Sequence, residues 1–253
     1  MNFGNHLAVL FVVVACFVAS TNSEFRIING TSADIKDSPY MVSFHYNGKY
    51  YCAGSLITLQ IVITAAHCLQ PYTQKFITVV AGRTDIRETG QSRNVHAIFV
   101  PRSFRLSTRD MDIGAIKVLK PFIPGPKVGT IQLCKTKLKP GMQMQIFGWG
   151  ATDLNIMKPV NVLQTSSVPI AKTKDCAALY KPRGTLLTNT MICAGCGGSD
   201  ACEGDSGAPG VVNGRLCAVV SLGIGCADPQ FPGVYTDVNN AKVRRFITTS
   251  KNT

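Results

Sequence analysis

The stretch "DACEGDSGAPG", residues 200–210, sets two aspartates and a glutamate around one serine, then adds small residues and a proline. Gly, Asp, Ser and Pro are the usual turn formers, so taken alone the stretch reads as well for a polar surface turn as for a nucleophile on a tight loop. The rest of the chain has to decide between the two.

The chain has 253 residues, 45% hydrophobic and 16% charged, a globular composition without collagen-like or disordered bias. Residues 7–18, "LAVLFVVVACFV", are an apolar run too short to cross a bilayer comfortably, and small polar residues, "ASTNS", follow. This pattern predicts a secretory signal over residues 1–23, cut after Ser23, with Ser20 the alternative, although the leading "MNFGNH" holds no Lys or Arg. No later run is apolar for long enough to span a membrane. The expectation is therefore a soluble, secreted, extracellular protein with oxidised cysteines and no membrane partner. Cys16 leaves with the signal; nine of the ten cysteines remain, an odd number, so at least one lacks a partner within the chain.

The net charge is +12, and residues 1–26 hold one acid, Glu24, and one base, Arg26, so their removal leaves it unchanged. Such a charge fits either a merely soluble basic surface or contact with a polyanion such as a sulfated glycan. Nucleic acid is not expected, because the chain shows no zinc-finger pattern and no aromatic-basic RNA motif.

Short apolar segments recur between turn signals: "YMVSFHY", "QIVITAA", "FITVVAG", "VHAIFV", "IGAIKVL", "MQIFGWG", "LCAVVSLG" and "GVYTDV". Rich in Val, Ile, Phe and Tyr, they predict an antiparallel all-β sandwich or barrel. "VNNAKVRRFITT", residues 238–249, is the one helix candidate, and "LKPFIPGPKVG", residues 119–129, is the best candidate for a crossing between two halves.

Three islands carry chemistry: "TAAHC" with His67, "DMDIGAIKV" with Asp112 and "GDSGAP" with Ser206. Acyl transfer to water needs a nucleophile, a base for its proton, and a group that orients the base and stabilises its cation. Ser, His and Asp meet those needs, in one of the chain orders that unrelated folds use. From residue 67 to 112 is 45 residues and from 112 to 206 is 94, so only a fold could bring them together.

With these islands, "RIING", "FGWG", "VSLGIGCA" and "PGVYT" stand in an order and spacing that resembles secreted trypsin-like serine proteases of the chymotrypsin family, from Arg26 to the C-terminus. The resemblance implies two six-stranded antiparallel β-barrels with the active site between them and a C-terminal helix. It implies a signal peptide (1–23), an activation propeptide (24–26) and a peptidase domain (27–253). It assigns Ser206 as nucleophile, His67 as base and Asp112 as its orienting partner, with Asp110 a nearby competitor. Gly204 and Ser206 would supply the oxyanion N–H donors, and Ala208 departs from the glycine usual there. Asp200 would floor a pocket selecting Arg and Lys, walled by Ala201, Gly223 and Gly233, with Ala201 in place of the common serine tilting preference toward Arg. Ser221, Leu222 and Gly223 would pair with an extended substrate, and Leu222 replaces the usual tryptophan. Glu203 at the pocket entrance would disfavour acidic residues flanking the scissile bond. Cleavage between Arg26 and Ile27 by an activating trypsin-like protease would let the Ile27 ammonium pair with Asp205.

Three bridges carry over with the resemblance: Cys52–Cys68, Cys176–Cys193 and Cys202–Cys226. Cys134, Cys196 and Cys217 are left. Cys134–Cys217 is one pairing open to them, which would leave Cys196 free or joined between molecules. No cofactor or metal is expected. "CAGCGGSDAC" lacks histidines for zinc, and "AGRTDIRETGQS" offers little of the acidic loop by which some trypsins bind calcium. Asn29 heads the only N-glycosylation sequon. The rival reading is a non-catalytic homologue acting as a binding module; such homologues usually lose a triad residue, and only Leu222 and Ala208 speak for it here.

Overall fold

The computed structural model describes residues 30–152, 156, 158–195, 200–228 and 230–252. Arg26, Ile27, Asn29, Cys16, Cys196 and the expected signal therefore lie outside the described residues. Each apolar segment named above contributes to a strand, because β-branched and aromatic side chains pack well on a pleated, half-buried surface. In chain order the strands are β1 (Thr31–Ser32), β2 (Met41–Tyr46), β3 (Lys49–Leu56), β4 (Ile61–Thr64), β5 (Ile77–Ala81), β6 (Gln91–Phe99), β7 (Gly114–Val118), β8 (Gln132–Leu133), β9 (Gln143–Gly148), β10 (Gln164–Pro169), β11 (Met191–Ala194), β12 (Pro209–Val212), β13 (Arg215–Leu222) and β14 (Gly233–Asp237). Among the described residues two α-helices accompany them, α1 (Thr173–Tyr180) and α2 (Ala241–Lys251).

Strands β2, β3, β4, β7, β6 and β5 close into a barrel in that order. The β2–β3 hairpin turns on Asn47 and Gly48, both at positive φ (49° and 79°), as expected of a type I′ turn at an Asn-Gly pair. The second sheet runs β1, β10, β9, β12, β13, β14, β11. Its ends meet through a bridge between Ile170 and Ala194. The Gly195 N–H donates to the Pro169 carbonyl and the Ala171 N–H to the Cys193 carbonyl, both at 2.9 Å. This closes β9 to β14 into a second six-stranded ring, onto which β1 and the parallel β8 are added. Closure removes the edges along which strands of other molecules could pair.

The segment from residue 119 to 129 makes the crossing from β7 toward β8. Phe122 is buried within it, its N–H bonded to the Leu59 carbonyl at 2.7 Å. One continuous apolar cluster then joins Phe44, Ile63 and Ile116 of the first barrel to Met144, Leu216 and Tyr235 of the second. The barrels thus share a core.

Strands β1, β3, β8, β10, β11 and β12 have no counterpart among the apolar segments quoted from the sequence. "AGS" in β3 and "TSS" in β10 lack the bulk that marks a strand; Ala53, Gly54, Ser55 and Ser166 are buried, while Ser167 is exposed. Helix α1 was also illegible: it spans 8 residues and has no side-chain N-cap. Helix α2 begins at Ala241 rather than Val238, because the Asn240 side chain accepts from the Lys242 and Val243 N–H groups.

Among the described residues four disulfides form: Cys52–Cys68, Cys134–Cys217, Cys176–Cys193 and Cys202–Cys226. The second pins the stretch after the crossing to β13, across 83 residues of sequence.

Candidate active site

His67 lies in a 3-10 turn, Ala66–Cys68, that follows β4, and the Cys52–Cys68 bridge ties this turn back to β3. Asp112 precedes β7 on a loop whose Arg109 and Met111 take left-handed φ values of 55° and 58°. Ser206 sits in the tight turn before β12, flanked by Gly204 and Gly207 at φ +95° and +80°. A Cβ on Gly207 would collide with Thr64 and Ala53, so glycine is required where the second-barrel turn presses onto the first barrel. The Ala53 N–H donates to the Ser206 carbonyl at 2.9 Å, and the Tyr50 hydroxyl donates to the Gly204 carbonyl at 2.7 Å. These two bonds hold the serine turn against the barrel that carries His67.

Asp112 is fully buried and takes a dense set of donors. The Nδ1 atom of His67 lies 2.7 Å from its Oδ2, and the His67 backbone N–H donates to Oδ1 at 2.9 Å. The Ser221 hydroxyl donates to Oδ2 at 2.6 Å, and the Thr236 hydroxyl donates to the Asp112 carbonyl at 2.7 Å. Burial pushes the Asp112 carboxyl up, but the bonds from His67 and Ser221 outweigh it and leave it below the ordinary aspartate value. An ionised Asp112 makes Nδ1 the protonated nitrogen of a neutral His67 and leaves Nε2 as an acceptor. Asp110, the competitor in sequence, instead receives the Thr188 and Thr190 hydroxyls, each at 2.7 Å.

Ser206 and His67 line the same cleft, which has a volume of about 320 Å³. They are not hydrogen-bonded to each other in this structure; such contacts often tighten only when substrate is bound. Among the described residues, the N–H groups of Gly204 and Ser206 donate to no backbone carbonyl.

Asp200 forms the inner end of the same cleft, 4% exposed. Its Oδ1 accepts from the Tyr235 hydroxyl at 2.9 Å and from the Ala201 N–H at 2.7 Å. Burial pushes its carboxyl up to about 7 despite these bonds, and the nearby Asp205 adds to the rise. A Cβ on Gly233 would collide with the Asp200 carboxylate, whereas one on Gly223 would only reach 3.4 Å from the Gly225 carbonyl. Gly233 is therefore glycine to admit the aspartate itself. The Cys202–Cys226 bridge braces one wall. Ser221 falls at a register shift in the β13–β14 pairing, between Val220 and Leu222, and so turns its hydroxyl to Asp112. Leu222 is half-buried and packs against the apolar cluster that includes Tyr180 and Phe231, while Glu203 is an exposed residue lining the cleft.

Asp205 is 1% exposed and accepts from the Gly150 N–H at 2.8 Å and the Cys202 N–H at 2.9 Å. Gly148 and Gly150 of "FGWG" leave the space that this carboxyl fills, since a Cβ at either would strike it. Among the described residues no basic side chain pairs with it, and burial raises it to about 7. A carboxyl raised in this way gives the fold its full stability below the ordinary value of 3.8, and that stability is lost as pH rises to about 7. Ala208 is buried without disturbing the turn, its N–H bonded to the Asp205 carbonyl at 2.9 Å.

Tyr50, Tyr235 and Thr236 were not singled out in the sequence. The first faces the site only because β3 crosses the serine turn; the other two lie in "PGVYT", where alternation along β14 was the available signal. Among the described residues, Cys52, His67 and Cys68 bring metal-ligand atoms within 4.8 Å of one another. Both sulfurs are spent in a disulfide and cannot bind as thiolates. In the loop over residues 81–92, Asp85 is bonded to Arg87 and Glu88 lies 3.7 Å from Lys127, so both carboxylates face cations.

A buried carboxylate on an imidazole, a serine in the same cleft and free backbone N–H groups beside it are the parts of a serine hydrolase. The family model "Trypsin" matches residues 27–246. Among known proteins the chain is 36% identical over 220 residues to Seminase of Drosophila melanogaster, covering 86% of this chain and 79% of that protein. It is 34% identical over 238 residues to Trypsin of Sarcophaga bullata (92% and 94% covered) and 33% identical over 242 residues to Vitellin-degrading protease of Bombyx mori (93% and 91% covered). The chain belongs to the trypsin family of the chymotrypsin-type serine proteases. It is a trypsin-like serine endopeptidase that hydrolyses peptide bonds in protein substrates.

Proposed function

We propose that the protein is a secreted endopeptidase, made as a zymogen, that cuts after Arg and, less well, Lys through an acyl-enzyme on Ser206. The observation that carries the specificity is the buried Asp200 carboxyl at the inner end of the cleft that Ser206 and His67 line. A guanidinium reaching it would meet an otherwise costly buried charge, and that pairing favours a cationic side chain over any apolar one. His67 would take the Ser206 proton as the hydroxyl attacks the scissile carbonyl and give it to the leaving amine, with Asp112 stabilising the imidazolium. The N–H groups of Gly204 and Ser206 would receive the oxyanion. Ser221 to Gly223 would hold the substrate as an added strand.

Residues 1–23 serve in this reading as the secretory signal and 24–26 as the propeptide of the 27–253 peptidase domain. After cleavage at Arg26, the Ile27 ammonium would supply the cation that Asp205 lacks among the described residues. The basic surface, at net charge +12, would suit a sulfated glycan in addition to substrate. The test is to cleave the chain after Arg26, verify the new N-terminus by sequencing, and assay Arg, Lys, Phe and Ala amides. Activity should appear only after the cut and on the Arg and Lys amides. Full activity in a chain that still begins before Arg26 would overturn the switch, and a preference for Phe would overturn the pocket.

The raised Asp200 carboxyl adds a pH dependence. Only its ionised form attracts a cation, so binding of benzamidine, which mimics the arginine end, should strengthen about tenfold per pH unit below 7 and level off above it. Inhibition titrations from about pH 5 to about pH 8 would show this. A flat profile would mean that Asp200 is ionised throughout or does not meet the inhibitor.

A further inference from the structure

We infer that a basic strip, where the segment after the crossing meets helix α2, is a docking site for a sulfated glycan, with Lys135, Lys137 and Lys139 at its centre. This gives a place to the polyanion contact read above from the net charge, and it rests on that reading. Charge is not spread evenly along the chain. Residues 113–152 hold six lysines and no acid, and residues 238–253 hold Lys242, Arg244, Arg245 and Lys251 and again no acid. The fold brings these two acid-free stretches together. The Arg244 guanidinium donates to the Cys134 carbonyl and to Asn239 Oδ1, and the Asn239 side-chain amide donates to the Thr136 carbonyl at 2.6 Å.

Lys135 and Lys137 border a recess of about 430 Å³, lined also by Leu138, Ile192, Asp237 and Asn239. Lys135, Lys137 and Lys139 are exposed, and none of them forms an ion pair among the described residues. Asp237 is the acid of the recess; its Oδ1 accepts the Asn239 N–H at 2.8 Å, and Arg244 offsets its charge. Lys251, about two turns on from Arg244, extends the strip along the same face of α2. Lys242 sits on the other flank of the helix, where it acts on Asp110. Like charges gathered on one surface repel one another. A polyanion lying across them relieves that repulsion and releases its own counterions.

The make-up of the strip favours a glycan over other polyanions. Single-stranded nucleic acid is held by aromatic faces as well as charge, and a membrane surface by apolar side chains that enter it. No large hydrophobic side chain of residues 134–139 or of α2 is exposed. Lysine ammoniums are compact point charges, suited to sulfates set along a flexible chain. The recess shares no lining residue with the Ser206 cleft, so a glycan bound there leaves the cleft open to substrate.

The test measures the Kd of a heparin octasaccharide for the full chain at about 0.15 M salt. Combining Lys135→Gln, Lys137→Gln and Lys139→Gln should weaken binding about thirtyfold and flatten the dependence of log Kd on log salt by about two. A control that loses the same charge at exposed sites elsewhere, Lys49→Gln with Lys120→Gln and Lys181→Gln, should weaken it less than about threefold. Equal weakening in the two variants would overturn the strip and leave a diffuse basic surface. Absence of binding by the parent chain would overturn the polyanion reading with it, whereas hydrolysis of an Arg amide by the activated chain reports on the protease reading separately. Anionic vesicles or a single-stranded oligonucleotide held as tightly as heparin would overturn the glycan as occupant. A second measurement needs no variant: bound heparin should protect Lys135, Lys137 and Lys139 of the parent from acetylation far more than Lys49. Uniform labelling would overturn the site.

Discussion

Ser206→Ala is expected to lower kcat on an Arg amide by about 10⁶-fold while the protein still folds. The hydroxyl shares a cleft with His67, whereas the Ser221 hydroxyl there is bonded to Asp112, and removing the Ser206 hydroxyl leaves only the polarisation offered by the Gly204 and Ser206 N–H groups. The turn itself does not depend on it. The left-handed glycines at 204 and 207, the Ala53 N–H to the Ser206 carbonyl and the Tyr50 bond to Gly204 all act through backbone atoms of the turn. Circular dichroism and the thermal midpoint should therefore match the parent. Turnover within an order of magnitude of the parent would mean that another group attacks the substrate.

Asp200→Ser is expected to cost about a thousandfold in kcat/KM on Arg and Lys amides, and little on the weak hydrolysis of Phe or Ala amides. A guanidinium would then enter a desolvated recess with no counter-charge. Stability should rise slightly at pH above 7, because the substitution removes a carboxyl that burial has raised to about 7 and that pays a penalty when ionised. Retained Arg preference in this variant would place the pocket floor elsewhere. The benzamidine pH profile provides an independent check, since it probes the same carboxyl without any chemistry at Ser206.

The catalytic islands were legible because each is local. "TAAHC", "DIGAIKV" and "GDSGAP" each place a reactive side chain in a tight backbone, and small residues there leave a trace in the sequence. The strands with bulky β-branched residues were legible for the same local reason. What escaped was long-range. Strand β10 and the Ala53–Ser55 part of β3 are built of small or polar residues, β12 is only four residues long, and Tyr50 reaches Gly204 across 154 residues of sequence. Gly148 and Gly150 were visible as "FGWG", but nothing local says that the space they leave belongs to Asp205.

By itself the sequence determined the all-β class, the residue types of a serine protease and a set of disulfide pairings that the family resemblance implied, since these depend on local pattern and order. The tertiary structure alone decided which oxygen of Asp112 each donor reaches. It decided that Asp110 turns away to Thr188 and Thr190, and that Arg109 lies beside Asp112, its Nη1 3.5 Å from Oδ2. Such outcomes turn on competition for a few buried acceptors within about 3 Å of one another. Chain spacing carries no information about that competition; only the packing of the two barrels against each other settles it.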